Sequence, residues 1–141
     1  MKNTKNVNIF IKSRATTVDD KDESEFFTEG TLERTADGIL LRYDENAEIG
    51  YENSKVSVTA NPERIVIERT GAASSILYIE KGKKHYCLYG TPYGDFTVGT
   101  HAYEIKCGLT EEGGTLEFRY SVDVNSEFIS ENELKLVVTV S

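Results

Sequence analysis

Apolar and polar residues alternate along most of this chain, and this period of two constrains the fold more than any other feature of the sequence. Between positions 116 and 124 every second residue is apolar, and the residues between them are polar or charged. Segments 7–11, 56–60 and 134–140 follow the same pattern with few exceptions. Successive side chains of a β-strand point to opposite faces, so this alternation is typical of strands with one buried face. The sequence therefore predicts an all-β protein.

Turn-forming residues separate the alternating runs at short intervals, as they do in antiparallel sandwiches and barrels. Asp37-Gly38, Gly82 and Gly113-Gly114 are clear examples, because these residues tolerate the backbone conformations that close hairpins. The acidic segment 17–25 is interpreted as a connection, and Ser126 to Asn132 as a candidate helical turn. The pattern predicts about ten strands, near 5–16, 24–35, 38–45, 53–61, 63–70, 74–81, 83–90, 94–108, 115–125 and 132–140.

The number of consecutive strands raises the question of how the sheet edges are protected. Unpaired N–H and C=O groups at an edge invite association with other chains, and closure into an up-and-down barrel removes them. A two-sheet sandwich would produce a similar alternation. Within 94–108, however, the alternation changes phase near Gly99-Thr100, which indicates a bulge or bend of the kind found at barrel corners. We therefore predict a single domain over residues 1–141, folded as an antiparallel up-and-down closed β-barrel of about 8–10 strands.

The net charge of the chain argues against some classes of binding partner. The chain has 16 Lys and Arg residues against 24 Asp and Glu residues, a formal charge of −8. This balance argues against binding to nucleic acid or anionic membranes, because such binding depends on Lys and Arg neutralising phosphates. The longest apolar run near the N-terminus, 9–11, is too short for a signal peptide or a membrane span. We expect a cytoplasmic protein, monomeric or homodimeric, that binds no nucleic acid and no membrane.

Several short motifs follow one another in a fixed order through the chain. They are Tyr43-x-Glu45, Arg69-Thr70-Gly71, Ser75-Ile76-Leu77-Tyr78, Gly82-Lys83-Lys84-His85, Tyr89-Gly90-Thr91-Pro92-Tyr93-Gly94, Gly99-Thr100-His101 and Gly114-Thr115-Leu116-Glu117-Phe118-Arg119-Tyr120. With these motifs the chain resembles the YwiB-like family of small bacterial proteins of unknown function. The resemblance implies a calycin-type, lipocalin-like β-barrel, and it supplies no established substrate or reaction.

Arg69 is the most informative charged residue, because it shares its strand parity with Ile65 and Ile67. A guanidinium in line with two isoleucines would point into the barrel or its mouth, where it needs an anion or neutral oxygens as partners. One interpretation pairs Arg69 with an internal carboxylate such as Glu45, or places it at the rim. The other interpretation gives it the carboxylate or phosphate of a small ligand, with Tyr43 nearby.

The hairpin around Gly82 positions further candidates. A turn centred on this glycine would place His85 opposite Ile79, and Tyr89 opposite Ser75, on the same face of the sheet. Both residues would line the interior if Ile79 does, and a register slip of one residue would reverse that assignment. The candidate ligand-binding residues are therefore Arg69, Tyr89, His85, Tyr43, Glu45 and Tyr93.

Reactive side chains do not point to a particular chemistry. His85, His101 and Cys87 lack the spacing of a recognised metal site, and no third group orients a Cys87–His85 pair for catalysis. We assign no catalytic residue, no metal and no cofactor, and we leave an enzymatic role open. The leading hypothesis is a barrel that binds a small apolar or amphipathic ligand in its interior or mouth. The alternative is a structural or regulatory interaction module, self-association included, whose barrel is filled by its own side chains.

Overall fold

The computed structural model of the protein describes residues 4–44, 54–71, 75–91 and 94–141. These residues form ten antiparallel strands and no helix, so the all-β prediction is confirmed. The described residues accordingly include no helix with the length and apolarity that crossing a bilayer requires. The strands are β1 (Lys5–Thr16), β2 (Lys21–Thr35), β3 (Gly38–Asp44), β4 (Ser54–Ala60), β5 (Arg64–Gly71), β6 (Ser75–Glu80), β7 (Lys84–Thr91), β8 (Gly94–Cys107), β9 (Gly113–Val124) and β10 (Glu127–Val140).

All ten strands belong to one sheet, in the order β6-β5-β4-β3-β2-β1-β10-β9-β8-β7. β6 and β7 are therefore the two ends of the sheet, and they meet at a seam where the sheet curls round. Among the described residues the seam has no continuous ladder. An antiparallel bridge joins Glu80 to Lys83, and a parallel bridge joins Lys81 to Ala102 of β8. The up-and-down barrel is thus confirmed, and it is nearly closed.

The inward-facing residues of the alternating pattern form the buried core of the barrel. On β1, Val7, Ile9 and Ile11 are buried, and Val138 and Leu136 of β10 lie opposite the last two. Burying one such side chain contributes about 1.5–3 kcal/mol relative to leaving it in water. Closure of the sheet removes this apolar face from water on the strands that contribute to the core, which is why the alternation predicts the fold.

The bulge of β8 lies at Tyr103 rather than near Gly99-Thr100, where the sequence first changes phase. Thr100 and Ala102 are both buried, Tyr103 is half-exposed, and the inward positions resume at Ile105. Thr100 keeps an inward position although it is polar, because its hydroxyl donates a 2.7 Å hydrogen bond to the carbonyl of Tyr78. The predicted position of the bulge, near Gly99-Thr100, is therefore wrong by a few residues.

Two strands, β2 and β10, begin three or more residues earlier than predicted. Asn125 and Ser126, with φ of 51° and 72°, close a tight hairpin in which Glu127 pairs with Val124. β10 therefore starts at Glu127, and the candidate helical turn is wrong. Positive φ at both central residues suits the twist of a two-residue hairpin, and asparagine tolerates it better than most residues. β2 likewise begins inside the acidic segment, at Lys21.

The topology divides the candidate residues between the two ends of the barrel. Consecutive strands are antiparallel, so the connections β1–β2, β3–β4, β5–β6, β7–β8 and β9–β10 lie at one end, which we call the upper end. Tyr43 lies one residue before the end of β3, and Arg69 lies two residues before the end of β5, so both are at the upper end. His85 lies near the opposite, lower end, next to the turn between β6 and β7.

Candidate functional site

Tyr43 and Arg69 belong to one row of inward positions at the upper end. Val56 of β4 pairs with Tyr43 on one side and with Arg69 on the other, so a phenol and a guanidinium flank one valine. Neighbouring strands lie about 4.8 Å apart, which puts the backbones of Tyr43 and Arg69 about 10 Å apart. Val56 is buried, and the two polar residues are half-buried. The row therefore lies where the apolar interior meets water.

Apolar side chains occupy the next row toward the lower end. Leu41 pairs with Val58, and Val58 pairs with Ile67. The first two are buried, and Ile67 packs against the same core while remaining half-buried. Arg69 thus ends a column of β5 residues that begins at the fully buried Ile65. This confirms the parity from which Arg69 was chosen as a candidate.

A glycine shapes the other side of Tyr43. Gly30 of β2 pairs with Tyr43, and a Cβ atom at this glycine would come within 2.1 Å of the carbonyl oxygen of Arg42. Any other residue would force β2 and β3 apart at this point, since the obstacle is backbone rather than a flexible side chain. Glycine therefore allows β3 to pair closely with β2 at the position of Tyr43.

The remaining upper-end candidates are less fully described. Tyr89 lies in β7 opposite Phe96 of β8. Glu45 and Tyr93 lie outside the described residues, so the pairing of Arg69 with Glu45 stays a prediction. In the sequence, Tyr89 precedes the end of β7 by two residues, Glu45 follows the end of β3, and Tyr93 lies between β7 and β8.

His85 does not share this row. Its Nε2 atom lies 3.0 Å from Oε1 of Glu80, and its ring centroid lies 5.9 Å from that of Tyr78. Arg69 pairs with Ser75, five residues before Glu80 on β6. Five residues of strand span about 17 Å. The structure therefore brings Tyr43 and Arg69 together and places His85 at the other end of the barrel.

The register expected between β6 and β7 is wrong by one residue. We predicted His85 opposite Ile79, but the structure pairs Glu80 with Lys83, and no ladder continues from that bridge within the described part of the seam. Ile79 is fully buried, whereas His85 contacts Tyr78 and Glu80, whose positions alternate with that of Ile79. A slip of one residue moves a side chain to the other face of a sheet. β6 also contacts β8 at the seam, where the hydroxyl of Thr100 donates a hydrogen bond to the carbonyl of Tyr78, and no local sequence pattern reveals this contact.

Glu80 is the charged centre of the lower end. Nζ of Lys83 lies 3.2 Å from one carboxylate oxygen, and His85 contacts the other. Hydrogen bonds from Lys83 and then from His85 lower the pKa of Glu80 below its ordinary value of 4.5. No three His, Cys, Asp or Glu side chains of the described ranges form a group that could hold a metal ion. The contacts of Glu80 with Lys83 and His85 form a polar cluster that links β6 to β7 across the seam.

A concave site lies on the outer face of β1, β10, β9 and β8. Its volume is about 360 Å³, and charged side chains dominate its lining. We call it the outer groove. It is lined by Lys12, Ser13, Arg14, Glu104, Lys106, Glu117, Phe118, Arg119, Glu133, Leu134 and Lys135. Alternation predicts that most of these residues face outward, but only the strand register shows that they lie side by side.

Comparison with known proteins agrees with the barrel and with the resemblance seen in the sequence motifs. The crystal structure of the ywiB protein from Bacillus subtilis is similar with a TM-score of 0.84, covering 98% of this chain and 93% of that chain at 19% identity. At this identity the likeness concerns the fold alone. No curated protein matches the chain. The model of the family described as a domain of unknown function (DUF1934) matches residues 9–136, and the chain belongs to that family.

Proposed function

We propose that the barrel binds a small amphipathic ligand at its upper end, with the apolar part toward the interior and an anionic group at Arg69. The position of Arg69 carries this proposal. It is a half-buried cation that continues the inward column of Ile65 and Ile67. A ligand with an apolar body and an anionic head matches that change from apolar lining to charge.

The chemistry of the row suits a carboxylate or phosphate head group. A guanidinium presents planar N–H donors that form paired hydrogen bonds with such groups. Tyr43 contributes a phenol oxygen that both donates and accepts, and Val56 between them offers apolar contact. In this proposal Tyr89, Glu45 and Tyr93 complete the site, because in the sequence they lie within two residues of the ends of β3, β7 or β8. His85 lies at the lower end and takes no part.

Native mass spectrometry of the protein purified from its own host tests whether a ligand is retained. Dodecanoate and dodecanol then serve as defined probes, since they differ only in the head group. A hydrogen bond to a charged group contributes about 1.5–3 kcal/mol, so Arg69→Met is expected to weaken dodecanoate binding by about tenfold or more. Arg64→Met is the matched control, because Arg64 is an exposed arginine on the same strand.

Three results would contradict the proposal. The first is the absence of dodecanoate binding to the wild-type protein. The second is equal affinity for dodecanoate and dodecanol, which would exclude a role for the anionic head. The third is an equal loss of affinity in Arg64→Met and Arg69→Met, which would show that the effect arises from net charge alone.

An aromatic patch on the outer surface favours self-association as a second candidate function. Phe27 is 82% exposed, and its ring lies 4.8 Å from that of Phe10 between centroids. Val137 of β10 pairs with Phe10 on the side away from Phe27. Exposed apolar surface of this kind marks contact sites between proteins. Sedimentation equilibrium should show a concentration-dependent dimer that Phe27→Ser abolishes and Val18→Ser, in an exposed turn, retains. A monomer at high concentration would contradict this candidate.

A further inference from the structure

The inward side chains change from buried to solvent-accessible partway up the barrel. On β5, Ile65 is fully buried, whereas Ile67, the next inward residue toward the upper end, is half-buried. On β10 the same change falls between Leu136, which is 2% exposed, and Leu134, which is half-buried. Both half-buried residues still pack against the core. Solvent therefore reaches the interior from the upper end as far as Ile67 and Leu134.

Small residues take over the inward positions of β1 and β2 toward the upper end. On β1 the buried Ile11 is followed inward by the half-buried Ser13. On β2 the buried Leu32 shares its face with the half-buried Thr28, which lies nearer the upper end. Serine and threonine have less volume than isoleucine and leucine, so side chains occupy less of the interior in the upper half than in the lower half.

The connection between β8 and β9 covers the lower end of the barrel. Leu109 of this connection is 7% exposed and belongs to the core. Backbone hydrogen bonds of 2.9 and 3.1 Å join Thr110 and Gly113 reciprocally, and Nζ of Lys5 on β1 lies 2.7 Å from Oε1 of Glu112. A chain that enters from the upper end therefore meets packed side chains instead of a second opening at the lower end.

The strand geometry sets the length of the accessible path. Arg69 lies four residues from Ile65 along β5, which corresponds to about 13 Å. An extended hydrocarbon chain gains about 1.2 Å per bond, because the three backbone bonds of an extended residue span about 3.6 Å. About eleven carbon–carbon bonds therefore reach from the guanidinium-bearing residue to the fully buried isoleucine. This is the length of dodecanoate.

We propose that the upper-end site binds saturated anionic chains of up to about twelve carbons and gains nothing from longer ones, with Ile67 lining the inner part of the path. This inference rests on the proposed function, which places the anionic group at Arg69. Each pair of methylenes that leaves water for apolar surroundings strengthens binding about tenfold. Carbons beyond the path must either displace close-packed side chains or stay in water, so they add no affinity.

Calorimetric titration with a series of saturated carboxylates tests the length limit. The probes are octanoate, decanoate, dodecanoate, tetradecanoate and hexadecanoate, each used below its critical micelle concentration. Kd is expected to fall about tenfold at each step up to dodecanoate, because each step buries two more methylenes. From dodecanoate to hexadecanoate Kd should change less than about threefold, because the added carbons find no apolar surroundings.

Two adjacent positions of β5 provide a variant and its matched control. Ile67→Trp places a larger side chain in the path, so Kd for dodecanoate should rise about tenfold while Kd for octanoate changes less than about twofold. Val66 is also half-buried, but it alternates with Ile65 and Ile67 and lies opposite Tyr78 on the outer face. Val66→Trp should therefore change Kd for either carboxylate less than about twofold.

A measurement on the wild-type protein locates the end of the chain without depending on a variant that folds. With dodecanoate labelled with ¹³C at its terminal methyl group, nuclear Overhauser effects are expected from that methyl to the methyl groups of Ile67 and of Val58, its partner on β4. Effects at the outward Phe27 instead would overturn the proposal.

The chain-length series separates the failure of this inference from the failure of the proposed function. Absence of binding by every carboxylate would overturn both. Affinity that continues to rise about tenfold per step up to hexadecanoate would overturn the length limit and leave an anion site at Arg69 intact. Equal effects of Ile67→Trp and Val66→Trp on dodecanoate binding would overturn the role of Ile67.

Discussion

The Nε2 atom of His85 lies 3.0 Å from Oε1 of Glu80, and this contact joins β7 to β6 across the seam of the barrel. Nζ of Lys83 lies 3.2 Å from the other oxygen of the same carboxylate. Elsewhere in the sheet, ladders of backbone hydrogen bonds hold neighbouring strands together. Along the described part of the seam, side-chain contacts replace the ladder, so the stability of closure depends on a few identifiable groups.

Glu80→Gln is expected to weaken the protein at neutral pH and less so in acid. Hydrogen bonds from Lys83 and then His85 lower the pKa of Glu80 below 4.5, so the folded state binds this proton less readily than the unfolded chain. The carboxylate therefore stabilises the fold at neutral pH, and this contribution is lost as the pH falls below about 4.5 through the lowered pKa. Urea denaturation at about pH 7 and about pH 3 should show a difference between variant and wild type that shrinks in acid.

Glu68→Gln is the control for that experiment. Glu68 is an exposed carboxylate of β5 with no ion pair in the described ranges, and its replacement should alter stability little at either pH. A Glu80→Gln difference of the same size at both pH values would show that the contacts with Lys83 and His85 contribute nothing through ionisation.

Thr100→Val is expected to loosen the seam. The hydroxyl of Thr100 is buried and donates a 2.7 Å hydrogen bond to the carbonyl of Tyr78 on β6. Valine keeps the shape and removes the donor, which should cost about 1–3 kcal/mol and speed amide exchange at Ile79. Thr59→Val on β4, half-buried and away from the seam, should change the free energy of unfolding by less than about 0.5 kcal/mol. Equal effects of both changes would show that the seam hydrogen bond has no special role.

The strands could be predicted because their signal is local. β1 begins and ends at the predicted residues, since Val7, Ile9 and Ile11 alternate with polar neighbours within a short window. The start of β10 could not be predicted in this way. Residues 127–133 lie toward the hairpin tip, where few inward positions are deeply buried, so the sequence there shows no alternation. The turn at Asn125 depends on its backbone conformation rather than on hydrophobicity.

The candidate sites likewise differ in whether local sequence is enough to predict them. Arg69 could be placed on the inward face from the parity of its own strand, which the structure confirms. His85 could not be placed, because its neighbours depend on how β6 meets β8 after the barrel closes. The outer groove could not be predicted from local sequence at all. Lys12 and Lys135 lie near opposite ends of the chain, and only the β1–β10 register makes them neighbours.

Gly38→Ala is expected to be much more damaging than Gly82→Ala. Both glycines have positive φ, of 134° and 76°, so alanine is strained at either position. At Gly82 a Cβ atom would meet nothing within 4 Å, and the cost should be limited to about 1–2 kcal/mol of backbone strain. At Gly38 the Cβ atom would lie 2.2 Å from the carbonyl oxygen of Ala60, which must move. Urea denaturation of both variants measures the difference, and equal losses would contradict the close contact between β3 and β4.

Leu41→Ala and Leu40→Ala test the assignment of inside and outside on one strand. Leu41 is fully buried against Val58, whereas Leu40 points outward and is half-buried. Removing Leu41 leaves a cavity that the surrounding strands cannot fill, with an expected loss of about 2–5 kcal/mol in the free energy of unfolding. Leu40 buries less apolar surface than Leu41, so its replacement by alanine should lower the free energy of unfolding by only about 1 kcal/mol. Thermal or urea denaturation of the two variants compares adjacent leucines of equal size. A larger loss for Leu40→Ala would place the interior of the barrel on the other face of β3, and the inward row of Tyr43 and Arg69 would be lost with it.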